Sequence, residues 1–375
     1  MAEIRPFLGA DAAEDELRQW YELNAENSGS VFPGFPVRSY RSFALAARAP
    51  EDHLGPRGIW AAWEGRRLLG IATLAHPRDD ERAPAFPKLI VLPGERRRGV
   101  GTALLRALVA DVRAQGRVSL RNEQVRIGGA GAAWAEAVGF AEVNRSTWQL
   151  LQVQDVDPEA WSVPVPAGFR LEQWTDAAPE ELVSSFAEAR NAILDAPSAD
   201  PADERREWTV ERVRADEAEV RATDDDYRFV VAVHEETGAV AALTGMVLTP
   251  GRTDLCWQRD TAVVGRFRGL GLGRSVKAAM MRELLADFPA LQRVITSTAA
   301  QNAAMIRVNE QVGYAPYAEI GTFEATVDDI EAALAGHSQG SQDSQDVSQD
   351  VSQDVSQEES IPGQRLAAED APSLI

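Results

Sequence analysis

The 375-residue chain carries 38 basic and 58 acidic residues, a formal charge of −20 at pH 7. That field disfavours nucleic acid and anionic membrane and favours a small cationic substrate such as an amine. A single cysteine, Cys256, excludes an intrachain disulfide, no apolar run reaches membrane-span length, and acidic residues interrupt the first twenty positions where a secretory signal needs an apolar core, so a cytoplasmic protein is expected.

The length allows two or three domains with sizeable cores. In chain order, a strand over Glu3 to Leu8 precedes a helix over Ala13 to Asn24, with Leu17, Trp20, Tyr21 and Asn24 at helical spacing. Pro33, Gly34 and Pro36 make the next stretch a loop that turns helical from about Arg38. Two apolar runs, Gly58 to Trp63 and Leu68 to Ala75, flank Glu64-Gly65-Arg66 as a hairpin. A strand over Leu89 to Leu92, a helix over Val100 to Ala114 closed by Gly116, and a strand over Arg117 to Arg121 complete the half.

Val156 to Gly168 holds three prolines and reads as a linker. Phe169 to Trp174 then restarts the pattern, with a helix around Glu180 to Asn191. The charged segment Leu194 to Asp226 contains a helix from about Asp203 to Glu219. Arg228 to His234 and Ala239 to Leu248 form a second hairpin. Then come a strand over Cys256 to Val264, a helix over Gly271 to Ala286, a strand over Val294 to Thr298, and a helix over Asn302 to Gln311 ended by Gly313-Tyr314. From Gly336 the chain is an acidic Ser-Gln-Asp repeat, too poor in apolar residues to fold, and is expected to be disordered.

One pattern occurs twice. VLPGERRRGVGTALLRALV from Val91 and VVGRFRGLGLGRSVKAAMM from Val263 align at an offset of 172 residues, matching Arg96 with Arg268, Gly99 with Gly271 and Gly101 with Gly273. Each is a β-branched run, an Arg-x-x-Gly-x-Gly turn and a helix start. The glycines permit positive φ and close approach, and the free N–H groups of the first helical turn favour an anion. This motif resembles that of the GNAT (GCN5-related N-acetyltransferase) superfamily, which binds the pyrophosphate of acetyl-coenzyme A between a strand and a helix.

The resemblance implies two tandem mixed α/β domains, each a bent, mostly antiparallel sheet with coenzyme A entering where central strands splay: 1–155, a linker at 156–168, 169–335, and the tail at 336–375. It implies coenzyme contacts from Val91, Arg96, Arg97, Arg98, Gly99, Val100, Gly101 and Thr102 in the first half. In the second half they come from Val263, Arg268, Gly269, Gly271, Leu272, Gly273, Arg274 and Asn302. Val91 and Val263 would pair with pantetheine in the manner of an added strand.

The family pattern Asn-x-x-Ala-x-x-Leu-Tyr-x-x-x-Gly-Phe is degraded in the first half, which has Gly128 and Ala135 at the Asn and Tyr positions while keeping Gly139-Phe140. The second half keeps Asn302, Met305 and Gly313-Tyr314 but has Asn309 at the Tyr position. The second domain is therefore the expected catalyst. An amide hydrogen-bonds but supplies no proton, so Asn309 orients or stabilises the sulfur, or the acid is Tyr314, another group or solvent. Asp260 is the first candidate base, with an equal reading as a structural carboxylate bonded to an arginine such as Arg228; Asp254 and Glu310 rank below it.

His53, His76, His234 and His337 show no metal spacing, and Cys256 on a strand reads as a core residue, so no metal is expected. Lys88 and Lys277, the only lysines, read as compositional bias. The implied function is transfer of an acetyl group from acetyl-coenzyme A to a small-molecule amine. A coenzyme-binding pseudoenzyme or scaffold is the alternative. Acetylation of a protein is disfavoured by the long segments Phe32 to Arg48 and Leu194 to Asp226, which close a peptide groove.

Overall fold

The structure, a computed structural model, describes residues 2–33, 35, 37, 39–49, 51–52, 55–77, 83–195, 207–222, 226–248 and 253–346. The chain divides into two compact units: unit 1 is formed by the described residues of Met1–Val143 and Gly321–Ile375, unit 2 by those of Asn144–Ile320.

Unit 1 opens with β1 (Glu3–Pro6), α1 (Glu14–Val31) and α2 (Tyr40–Arg48). α1 runs past the expected Asn24, with Leu17, Trp20 and Leu23 buried on one face. Next come β2 (Glu51–Asp52), β3 (Gly55–Glu64), β4 (Arg67–Ala75) and β5 (Phe86–Val91). The sheet order is β1-β3-β4-β5, antiparallel throughout, with β2 beside β3. α3 (Val100–Ala114) buries Leu104, Leu105, Leu108 and Val112. That i, i+4 row is what a helix lying on a sheet requires. β6 (Ser119–Arg126) makes a parallel bridge from Leu120 to Ala85, just ahead of β5, and Asn122 donates to the Pro87 carbonyl (3.1 Å), but among the described residues the two strands form no continuous ladder. α4 (Ala130–Ala137) closes this half.

β7 (Ala141–Gln152) begins in unit 1 and ends in unit 2. Unit 2 continues with β8 (Phe169–Thr175), α5 (Val183–Asn191), a 3-10 turn (Ala192–Asp195) and α6 (Val210–Ala222). α6 starts later than the expected Asp203, because Thr209 accepts from the Arg212 amide (3.3 Å) and caps it there; 196–206 lie outside the described residues. β9 (Asp226–His234), β10 (Val240–Leu248), β11 (Leu255–Val263), α7 (Leu272–Asp287), β12 (Arg293–Ala299) and α8 (Ala303–Gln311) follow. β8-β9-β10-β11 form an antiparallel meander. β12 runs parallel to β11 for Leu255–Trp257 against Arg293–Ile295, and the ladder then stops: this is the splay expected of the family.

α7 packs on one face of this sheet through Leu272, Val276, Met280 and Leu284, while α5 and α6 pack on the other through Phe186 and Val213 against Tyr227, Phe229 and Val231. Between Gln258 and Thr261 the β11 register slips against β10, with Arg259 and Asp260 opposing the single residue Gly245. This bulge breaks the alternation of side chains. Gln258 therefore faces α7, and Asp260, two residues on, faces α5.

The proline linker does not mark the division between units. Ser146–Gln152 of β7 pair with Ala299–Arg293 of β12, so the chain joins unit 2 before residue 156. Conversely, β13 (Ala315–Thr326) leaves unit 2 after Ile320, and α9 (Val327–Asp346) buries Val327, Ile330 and Leu334 in the core of unit 1 beside Leu104 and Leu108. α9 is described as far as Asp346, ten residues past Gly336, where the expected tail begins. Residues 347–375 lie outside the described residues.

Candidate active site

Both Arg-x-x-Gly-x-Gly turns take the same backbone path. Gly99 (φ +79°) and Gly271 (φ +84°) are left-handed caps, and two positions earlier Arg97 (φ +64°) and Gly269 (φ +82°) are left-handed too. The first helical bonds run from Ala103 N–H to Gly99 and from Ser275 N–H to Gly271. The amides of 100–102 and 272–274 therefore have no acceptor within their helices. A Cβ placed on Gly99, Gly269 or Gly271 would meet nothing within 4 Å, so the space in front of each turn is open. Val100 and Leu272 are buried and anchor the helix starts. In unit 2, Arg274 adds a buried guanidinium Nε with no partner among the described residues, where unit 1 has Thr102. Open space, unpaired amides and a cation fit a phosphate ester.

The arginine that opens each motif braces the loop. Arg96 Nε donates to the Val91 carbonyl (3.4 Å) and Nη2 to Asn27 (3.2 Å). Arg268 Nε donates to the Val263 carbonyl (3.0 Å) and Nη2 to Asp195 (2.8 Å). One lone pair of each valine carbonyl expected to receive pantetheine is thus already engaged. Arg98 pairs with Glu95, which also holds Arg67 (2.8 Å), leaving Arg97 as the member of that run turned out by its left-handed backbone. The glycines, amides and Arg274, not Arg96 or Arg268, present free groups.

The four residues expected to do chemistry do not form one constellation. Asn302 caps α8, its Oδ1 accepting from Met305 N–H (3.1 Å). Asn309 is fully buried: its amide donates to Gln149 (2.8 Å) and Thr298 (3.2 Å), while its Oδ1 and Gln149 Nε2 have no partner among the described residues. Tyr314 is buried in the α7-side core and its hydroxyl donates to Gln258 Oε1 (3.2 Å). Burial holds that phenol well above its ordinary range, which counts against it as an acid. Asp260 takes Arg190 Nη2 (3.3 Å), so the arginine partner is Arg190, and Arg228 is engaged instead by Asp226 and Asp287.

Several polar groups were not anticipated. Lys277 is 1% exposed with its Nζ on Gln258 Oε1 (2.6 Å), and burial pushes its pKa down to about 7. Gln258 Nε2 donates to Thr244 (2.7 Å), which bonds Thr261 (2.8 Å). A signal existed: Lys277 lies on the helix face that Val276 and Met280 mark as core. Cys256 is buried, its thiol pushed up by burial, consistent with a core residue. His76 bonds Asp111 (2.9 Å) and His234 bonds Thr237 (3.0 Å); His53 and the His337 side chain lie outside the described residues. Among the described residues no three metal-ligating groups cluster, and no helix is long and apolar enough to cross a membrane.

With this geometry in place, the comparisons are specific. The acetyltransferase (GNAT) family profile matches residues 15–128 and 190–314. Mycothiol acetyltransferase of Mycolicibacterium gilvum (strain PYR-GCK) is 31% identical over 258 residues, 67% of this chain and 76% of that protein. Its counterpart in Mycobacterium avium (strain 104) is 27% identical over 279 residues, 71% and 81% of the two chains. Among solved structures, a tandem GNAT protein from the clavulanic acid biosynthesis pathway superposes with a TM-score of 0.68 at 27% identity, covering 87% of this chain and 99% of that one. A GCN5-related N-acetyltransferase from Sphaerobacter thermophilus shares the fold at TM-score 0.64 and 15% identity, covering 87% and 96%. Two glycine-turned helix starts on two splayed sheets, both matched by one profile, make this chain a tandem acetyltransferase of the GNAT family, similar in plan to mycothiol synthase.

Proposed function

We propose that the chain transfers an acetyl group from acetyl-coenzyme A to the amine of a small molecule, and that unit 2 is the catalytic unit. One observation carries the assignment. Unit 2 keeps a polar side chain at both family positions, Asn302 capping α8 and the buried Asn309 bonded to Thr298, and carries the partly exposed Asp260 on β11, whereas unit 1 has Gly128 and the buried apolar Ala135 at the matching Asn and Tyr positions. The relatives named mycothiol acetyltransferase support a small-molecule acceptor.

The thioester supplies an activated acyl carbon and a good leaving group. The chain's part is to hold the diphosphate on the amides of 272–274 and Arg274, and to position the amine. The amine nitrogen forms the new bond to the acyl carbon as the C–S bond breaks, and the amine gives up a proton. We assign that proton to Asp260, a partly exposed carboxylate on β11 that is also paired with Arg190. Asn309 has no proton to give, so the thiolate leaves toward solvent or is stabilised by hydrogen bonding.

The sealed Asn309 and the core-bound Tyr314 hydroxyl favour a second reading, coenzyme binding without turnover. Free-thiol release from acetyl-coenzyme A over a panel of primary amines separates the two. Acceptor-dependent release is the expected result; tight coenzyme binding with no release for any amine would establish the second.

A further inference from the structure

Gln258 stands at one flank of the β11 bulge, and its carboxamide spans it. Nε2 donates to the carbonyl of Gly245 (3.0 Å), the residue opposite the bulge, and to Thr244 Oγ1 (2.7 Å), and lies 3.4 Å from Thr261 Oγ1 at the other flank. Thr244 and Thr261, partners in the β10–β11 ladder, bond each other through their hydroxyls (2.8 Å). The oxygen end of the same amide is held from two further elements, by Lys277 Nζ of α7 (2.6 Å) and by the Tyr314 hydroxyl beyond α8 (3.2 Å). A carbonyl can only accept, so Gly245 requires the amide nitrogen, and the oxygen is left to Lys277 and Tyr314.

A bulge interrupts the backbone ladder, and here one side chain bridges the interruption. What the bulge sets is the place of Asp260. Without the extra residue, alternation would put it on the Gln258 face, against α7. With it, the carboxylate lies on the α5 face, where it takes Arg190 Nη2 (3.3 Å), and that guanidinium lies 3.2 Å from the Trp208 ring centroid. The network behind the bulge burdens the fold. Thr244, Gln258, Lys277 and Tyr314 are all buried, and among the described residues no carboxylate stands beside the lysine. A desolvated amine is costly, and an apolar side chain of similar volume would pack the core better. Such a departure from good packing is expected where function requires it.

We propose that Gln258 and Lys277 are positioning residues for the reaction: Lys277 fixes the carboxamide of Gln258, and Gln258 staples the bulge that holds Asp260 on the α5 face. Neither touches substrate. The inference rests on the acetyl-transfer reading of unit 2 and deepens it, since the geometry of Asp260 is then set from the opposite face of the sheet. If Lys277 is lost, the longer Tyr314 bond alone restrains the amide, and the bulge loosens. The cradle, held by Gly269, Gly271 and the start of α7, does not depend on the staple, so coenzyme binding is unaffected.

The test compares full-length wild type, Lys277→Met and Gln258→Glu in three measurements: Tm at pH 7, residue-resolved amide exchange over Arg259–Thr261, and thiol release from acetyl-coenzyme A with the best amine of the panel. Lys277→Met removes the burden on the core, so its Tm should not fall, yet exchange at the bulge should quicken. Its kcat should drop about tenfold, the scale of a small misplacement of a reacting group, with KM for acetyl-coenzyme A unchanged. A merely structural role would not lower kcat in a variant of undiminished stability. Gln258→Glu keeps an oxygen for Lys277 and Tyr314 but turns an acceptor toward the Gly245 carbonyl, and should lower kcat at least as far. Lys277→Met decides the matter if Gln258→Glu misfolds. Wild-type kcat in Lys277→Met, or exchange at the bulge unaltered by it, overturns the proposal and leaves acetyl transfer standing. No thiol release by wild type with any amine removes the acetyl-transfer reading and the catalytic part of the proposal with it, while quickened exchange in the variants would still establish the staple.

Discussion

Lys277 carries an amine into the α7-side core with a hydrogen bond to Gln258 and, among the described residues, no carboxylate beside it. Desolvation disfavours its charged form, so the folded chain holds it neutral above about pH 7 while the unfolded chain keeps it protonated to its ordinary 10.5. Between those values the unfolded state binds the extra proton, and stability rises with pH by up to about 1.4 kcal/mol per unit. Urea unfolding at pH 7.5 and 9 should therefore show wild type gaining on the order of 2 kcal/mol from this residue. Lys277→Met should be more stable at pH 7 and lose that gain; an unchanged pH slope would show the lysine to be charged in the fold.

Gln149 and Asn309 pose a related problem, since each leaves one buried polar atom unpaired, where unit 1 has Phe323 and Ala135 at the corresponding strand and helix positions. Removing both partners of a buried bond costs less than removing one. Gln149→Leu alone should lower stability by about 1–3 kcal/mol, and adding Asn309→Leu should recover much of it. Additive losses in a double-mutant cycle would contradict this. Lys277 is legible only from its place on the core face of its helix, and Gln149 gains its meaning from a residue 160 positions away.

At the scale of elements, the strand–turn–helix units are visible in sequence because their causes are local: glycines at positive φ, then an apolar row every four residues. The bulge in β11 is not, since one extra residue leaves a strand's composition unchanged while moving Asp260 to the other face of the sheet. Nor is the path of β7 and β13 visible. Their pairing is non-local, and a proline-rich stretch downstream offers a more conspicuous boundary. The Trp208–Arg190 cluster is hidden for another reason, as it is drawn from a charged segment whose composition reads as a solvated face. The return of α9 to unit 1 predicts that Ile330→Ala, a truncation of a fully buried side chain, costs about 2–5 kcal/mol. Hydrogen exchange should then accelerate in α3 and not in α7; the opposite pattern would place α9 with the wrong unit.

For the whole molecule, the duplication yields two cradles of the same backbone geometry but unequal surroundings. The first is braced by Glu95 between two arginines and lies beside apolar replacements of the family's polar residues. The second carries Arg274, with its unpaired Nε, and a strand whose bulge turns a carboxylate toward α5. Both retain unpaired amides in front of open space, so both should bind an anion.

The most direct measurement is calorimetric titration of acetyl-coenzyme A into wild type, Gly99→Glu and Gly271→Glu, with acceptor-dependent thiol release followed on the same samples. Each variant places a carboxylate where a phosphate is expected to lie. Two sites in wild type, one lost in each variant, with release abolished by Gly271→Glu alone, is the predicted result. Release abolished by Gly99→Glu and retained in Gly271→Glu would contradict it and move the chemistry to unit 1.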